Sequence, residues 1–132
     1  MDWLEDLCSA IATMEGFFKP GSLAQVNNNP GNLRPWWPAD QTSDIAKKRG
    51  LGDTNTPSGR FIVGIKLSNG IGALYCDVML KIAEGVTLRQ LLERWAPPSD
   101  GNNTQLYVSF VSQRTGIQPD QVLRDLLKVR RV

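Results

Sequence analysis

Glu15 is the side chain of this sequence whose type and position best suit acid–base chemistry. Apolar residues recur at helical spacing before it and predict one buried stripe on a first helix: Leu4, Leu7, Cys8, Ile11 and Met14. At about 100° per residue, Glu15 falls about 20° from the direction of Leu4, inside that stripe. Desolvation and the negative potential of a helix C-terminus both raise the pKa of a carboxyl group placed there. A glycosidic general acid needs a raised pKa, because it must hold a proton near neutral pH.

A structural ion pair is the alternative role for Glu15. Arg34 or Arg60 could neutralise its carboxylate, and the helical phase alone does not separate this role from catalysis.

The absence of histidine excludes several kinds of site. Ser-His-Asp and Cys-His catalysis and most zinc sites need that residue. Cys8 and Cys76 lie far apart in the chain, each on a predicted apolar stripe, which predicts two buried thiols and leaves a disulfide open. We therefore expect no metal and no cofactor, and chemistry carried by carboxylates, amides, hydroxyls and aromatic rings.

An Asn-rich turn supplies the candidate binding groups. Amide side chains both donate and accept, which suits the N-acetyl groups and hydroxyls of a glycan. Asx-turns around Pro30-Gly31 are the alternative role for the same asparagines. Either Trp36 or Trp37 could stack on a sugar ring or pack beneath the loop. The candidates in this segment are Asn28, Asn29, Asn32 (the first choice for a direct sugar contact) and Arg34.

Helices predominate among the elements that must position these groups. The first is predicted from about Trp3 to Glu15, and Gly16 stands where it would end. A long functional loop region is expected over residues 17–59, then one strand or a short hairpin over 60–67. Four further helices are predicted. One covers residues 70–83, and a short one follows a capping box formed by Thr87 and Gln90. Another runs from a cap at Asn102 or Asn103 to Gly116, and the last begins at Pro119.

These elements predict one domain over residues 1–132. Its fold class is α+β and mainly helical, with about five helices and a small β element. The 132 residues, with 41% hydrophobic and 21% charged, suit one core and not two.

Ordered runs that bracket nearly the whole chain match the pattern of one known family: Ile11 to Phe17, Pro20 to Gln25, Asn27 to Arg34, Arg94 to Thr104, Tyr107, and Arg114 to Ile117. In these runs the sequence resembles small lysozyme-like proteins, many of them encoded by phages or prophages as virion- or lysis-associated peptidoglycan-degrading domains. Residues Trp36 to Ser58 match no part of that pattern.

The resemblance implies a lysozyme-like fold in which Glu15 ends the first core helix beside a sugar cleft and acts as the acid. It also implies that the Asn-rich turn, Asn103 and Tyr107 lie along that cleft. From the residues alone, Asn103 is more typical of a helix cap, and Tyr107 equally fits a core position. The expected substrate is the glycan strand of bacterial peptidoglycan, cleaved at the MurNAc-GlcNAc β-1,4 bond.

The position of a second carboxylate decides between two reactions. The candidates are Asp40, Asp44 and Asp53. An inverting hydrolase needs a base roughly 6.5–9.5 Å from the acid, and a retaining hydrolase needs a nucleophile about 5–5.5 Å away. If none of the three is so placed, Glu15 acts alone, which is lytic transglycosylase chemistry. We slightly favour that reaction over hydrolytic muramidase activity, since no second carboxylate stands in a recognisable motif.

Other functions stay open beside this one. A non-catalytic glycan-binding or virion structural module could share the fold, and a chitinase-like activity is a weaker alternative. The net charge of +2 falls short of a nucleic-acid-binding surface, and no apolar run reaches the roughly 18 residues of a membrane span.

The expected location follows from the N-terminus and from the resemblance. The first residues are acidic and lack the basic start of a signal peptide. A protein of the resembled type is made in the bacterial cytoplasm and reaches the periplasm or cell wall with a phage particle or by lysis machinery. Other virion or secretion-machine proteins are then possible partners.

Overall fold

A computed structural model describes residues 3–33, 51–54, 62–64 and 67–127, with only the backbone of 51–54, 62–64 and residue 100. Within these ranges the elements are α1 (Trp3–Met14), α2 (Leu23–Val26), β1 (Leu51–Thr54), β2 (Ile62–Gly64), α3 (Leu67–Ala83), α4 (Leu88–Trp95), a 3-10 turn (Pro98–Asp100), α5 (Thr104–Thr115) and α6 (Leu123–Leu126). The predicted mainly helical class is confirmed.

The chain forms two compact units. Unit 1 comprises Met1–Ala10 and Asp77–Val132, and unit 2 comprises Ile11–Cys76. A single domain over residues 1–132 stays a prediction.

Unit 1 is built on α4 and α5, which pack together around leucine and valine side chains. Thr87 caps α4, accepting from the backbone N–H of Gln90, while the Gln90 side chain accepts from the Thr87 N–H. This confirms the predicted capping box. Gly116 ends α5 in the left-handed region, as predicted. The largest fully buried side chains of unit 1 are Leu7, Val78, Ile82, Leu88, Leu91, Leu92, Val108, Val111 and Leu123.

The predicted start of the last helix at Pro119 is wrong. The preceding segment uses its backbone to pair with the start of α4: Leu88 donates to Gln121, Arg89 donates to Pro119, and Thr87 and Val122 form an antiparallel bridge. The Leu123 N–H also donates to the Val86 carbonyl, so the segment runs beside the start of α4 and α6 begins only at Leu123.

Unit 2 contains an element that the sequence analysis assigned to loop. Ser22 caps the short helix α2 by accepting from the Gln25 N–H, and the Gln25 side chain accepts from the Gly21 N–H. The Ser22–Gln25 spacing is a capping-box signal that could have revealed this helix.

A two-stranded antiparallel pair also lies in unit 2. β1 pairs with β2 through Leu51–Gly64 and Thr54–Ile62, with an irregularity between them. The first strand lies inside the region predicted as loop, so the loop prediction for residues 17–59 is wrong over β1 and α2.

The apolar residues of two helices are only partly buried. In α3, Leu74, Val78 and Ile82 are buried, but Ile71 and Met79 are exposed. Leu106 in α5 is 60% exposed. Cys8 is buried as predicted, whereas Cys76 is exposed, and neither cysteine is in a disulfide.

Candidate functional site

Glu15 is the C-cap residue of α1. Gly16 adopts a left-handed φ of +80°, its N–H donates to Thr13 and the N–H of Phe17 donates to Ala12. These two bonds form a Schellman motif, which stops the helix immediately after Glu15. Glu15 is therefore held at the end of α1, where it is half-buried.

Asn32 donates from its side chain to two oxygens of Glu15. Its Nδ2 lies 3.2 Å from the Glu15 carbonyl oxygen and 3.3 Å from the Glu15 Oε1. The first bond satisfies a carbonyl that a helix end leaves without an intrahelical partner. The second fixes the orientation of the Glu15 carboxyl group. Asn32, the first-choice binding residue from sequence, thus contacts the predicted acid.

The asparagine segment begins with a second Schellman motif, at the end of α2. Asn28 adopts a φ of +49°, its N–H donates to Gln25, and the N–H of Asn29 donates to Ala24. Asparagine is the residue after glycine that best tolerates the left-handed conformation, which explains its use here. Asn28 is half-buried.

Asn29 closes the turn that presents Asn32. The Asn32 N–H donates to the Asn29 carbonyl, which forms a turn with Pro30 at its second position. The Asn29 side chain, 2% exposed, accepts from the Leu33 N–H at 2.9 Å and donates to the Leu33 carbonyl at 3.0 Å. These bonds show Asn29 stabilising the turn, which was the alternative to a role in sugar binding. A direct contact of Asn29 with sugar stays a prediction.

Two features mark Asn32 as energetically costly. Its φ is +48°, which is uncommon outside glycine, and its Oδ1 is buried with no hydrogen-bond partner among the described residues. Unsatisfied buried acceptors are rare in native proteins, and uncompensated local costs concentrate at functional sites.

Asn103 and Tyr107 lie on unit 1. Asn103 is the exposed N-cap of α5, and its Oδ1 accepts from the Leu106 N–H at 3.1 Å, as the cap reading predicted. Tyr107 is 4% exposed and belongs to the core. Asn103 also lines an open groove of about 800 Å³ beside Arg89 and Glu93.

The remaining predicted groups are described in part or not at all. Arg34, Trp36, Trp37, Asp40 and Asp44 lie outside the described residues. Only the backbone of Asp53 is described, in β1. The choice between hydrolysis and the single-carboxylate reaction depends on how far these aspartates lie from Glu15, and it therefore stays a prediction.

Gly70 in α3 is a residue that sequence reasoning missed. A Cβ atom at this position would overlap the Asn28 carbonyl oxygen and lie 2.7 Å from the Asn28 carbonyl carbon. A glycine within a helical segment can mark a close approach of another backbone, but we interpreted Gly70 only as the start of the helix.

The described residues contain neither a metal-binding cluster nor a membrane-spanning helix. No group of three or more Cys, Asp or Glu side chains there could hold a metal ion. No helix in the same part of the chain has the length and apolar character to cross a membrane.

Comparisons with known proteins give no match. No protein-family model matches the chain, and neither a curated protein nor a solved structure is significantly similar to it.

Proposed function

We propose that this protein cleaves the MurNAc-GlcNAc β-1,4 bond of peptidoglycan glycan strands, with Glu15 as general acid. The observation that carries the proposal is the bond from the Asn32 amide to the Glu15 carboxylate at the end of α1. It joins the two residues that the sequence analysis selected as acid and first-choice binding residue. A half-buried carboxyl group at a helix end, oriented by a hydrogen bond from Asn32, suits proton transfer to a leaving oxygen.

Lytic transglycosylation is the form of the reaction that we favour. Glu15 first protonates the departing GlcNAc oxygen as the bond to the muramyl C1 breaks. The carboxylate then takes the proton of the muramyl 6-hydroxyl, whose oxygen bonds to C1 and closes a 1,6-anhydro ring. No water is consumed and no second carboxylate is required. A base or nucleophile at Asp40, Asp44 or Asp53 would instead give hydrolysis.

The lysozyme-like fold with its small β element belongs to the same proposal, as does delivery to the cell wall with a phage particle or by lysis machinery. The mainly helical class supports the fold. The resemblance of the Ile11–Phe17 and Arg94–Thr104 runs supports both.

A clearing assay on purified peptidoglycan tests the role of Glu15. We expect Glu15→Gln to lower the initial clearing rate by about a hundredfold or more, since general acid catalysis contributes on the order of 10²–10⁴. Glu5→Gln is the matched control, because Glu5 is exposed on the same helix, and it should clear at the wild-type rate. Equal clearing by wild type and Glu15→Gln would exclude Glu15 as the acid. Saturable binding without clearing by the wild-type protein would indicate a non-catalytic module.

A further inference from the structure

Gly70 lies where α3 meets the asparagine segment, and both belong to unit 2. The Asn28 carbonyl occupies the space that a Cβ at Gly70 would need, and the Pro30 Cδ lies 3.2 Å from that Cβ position. Gly70 is buried. Because the nearest atoms include backbone, they cannot move aside without moving the turn itself.

The turn that rests on Gly70 is the one that carries Asn32. The Asn28 carbonyl contacts Gly70, the Asn29 carbonyl accepts from the Asn32 N–H, and Asn32 donates to Glu15. Each link is a direct contact between neighbouring residues. A displacement of the turn at Gly70 is therefore passed on to the Asn32 amide.

We propose that Gly70 is a positioning residue for Glu15, acting through the Asn28–Asn32 turn. The missing side chain lets the turn approach α3 closely enough for the Asn32 Nδ2 to reach the Glu15 carboxylate. This inference rests on the proposed role of Glu15 as general acid, but the contact path itself is independent of any activity.

Gly72 provides a matched control on the same helix. It is exposed, and a Cβ added there would meet nothing within 4 Å. Both Gly70→Ala and Gly72→Ala add one methyl group to α3 and raise its intrinsic helix propensity. A difference between the two variants therefore reports the contact with Asn28 and Pro30 and not a property of the helix.

The first measurement follows the Glu15 carboxyl 13Cδ resonance by NMR in the full chain. Asn32→Gly removes the donor while keeping a residue that tolerates the left-handed φ. We expect Gly70→Ala to shift the resonance in the same sense as Asn32→Gly, and Gly72→Ala to leave it at the wild-type position. A wild-type resonance in folded Gly70→Ala would overturn the proposal.

The second measurement is turnover of soluble peptidoglycan strands by the same variants. We expect Gly70→Ala to lower kcat at least about tenfold with KM nearly unchanged, since a small displacement of a reacting group costs rate more than affinity. The Gly70→Ala/Asn32→Gly double variant should be no slower than Asn32→Gly alone, because both act through one donor. Multiplying effects in the double variant would show a separate structural role and contradict the proposal.

A milder variant decides the question if Gly70→Ala fails to fold. Pro30→Ala removes the ring atom nearest Gly70 and should shift the Glu15 resonance in the same sense, by a smaller amount. An unchanged resonance in that variant would count against the proposal. If the wild-type protein cleaves no peptidoglycan, the proposed function fails, while the resonances still test the positioning role.

Discussion

Asn32 combines two features that cost stability with two donated hydrogen bonds. Its backbone is left-handed and its Oδ1 is a buried acceptor with no partner among the described residues, yet its Nδ2 donates twice to Glu15. An unmade hydrogen bond of a buried group costs about 1–3 kcal/mol, similar to what the two donated bonds contribute. The net stabilisation by this side chain is therefore small, and its main effect falls on the carboxylate.

Replacing Asn32 should consequently separate activity from stability. We expect Asn32→Gly to lower kcat on peptidoglycan about tenfold or more, because the carboxylate loses its orienting donor. The free energy of unfolding should change by no more than about 1 kcal/mol, measured by urea denaturation.

Asn32→Asp provides the complementary variant. It keeps the shape and the tolerance for a left-handed φ, but sets a second carboxylate against Glu15 in place of a donor. The kcat of Asn32→Asp on peptidoglycan should be lower than that of Asn32→Gly. The exposed Gln118→Ala serves as control and should match wild type in both assays. Wild-type turnover by both Asn32 variants would contradict the orienting role.

Helix ends were the elements most accurately predicted from sequence. The Thr87–Gln90 capping box, the Asn103 cap and the glycines after α1 and α5 act within a few residues of the chain, so their spacing alone identifies them. The start of α6 could not be found in this way. It is set by backbone bonds between residues 119–123 and 86–89, which no local pattern records.

The side-chain caps of unit 1 should be worth about 1 kcal/mol each. We expect Thr87→Ala and Asn103→Ala each to lower the free energy of unfolding by about that amount, since each leaves a helix N–H without its acceptor. Chemical denaturation measures the change, with the exposed Gln105→Ala of α5 as control. A loss for Asn103→Ala no larger than for Gln105→Ala would show that the cap does not stabilise α5.

For the molecule as a whole, the mainly helical class could be predicted from sequence, but the contacts of Glu15 could not. Glu15 could be selected as a candidate acid because helical phase is a local property. The donor from Asn32 and the contact at Gly70 join residues 17 and 42 positions apart, so periodicity could not reveal them. Asn32 was selected from sequence because an amide can both donate and accept, and only the structure shows that it donates to Glu15.

The two thiols offer a test of the described burial. Cys76 is exposed and Cys8 is buried. Ellman's reagent should therefore modify one thiol rapidly in the native protein and the second only at the rate of unfolding. Cys76→Ser should abolish the rapid phase. Two rapid phases, or a rapid phase that persists in Cys76→Ser, would contradict this assignment.

Mass spectrometry of the fragments released from purified peptidoglycan tests the central claim most directly. The wild-type protein should release glycan fragments with 1,6-anhydro-muramyl ends, each lighter by one water than a fragment with a reducing end. Under the same conditions Glu15→Gln should release none above the background without enzyme, and Glu5→Gln should release the wild-type set. Reducing ends from the wild-type protein would replace transglycosylation by hydrolysis while keeping Glu15 as the acid. Fragments released by Glu15→Gln in wild-type yield would contradict the central claim.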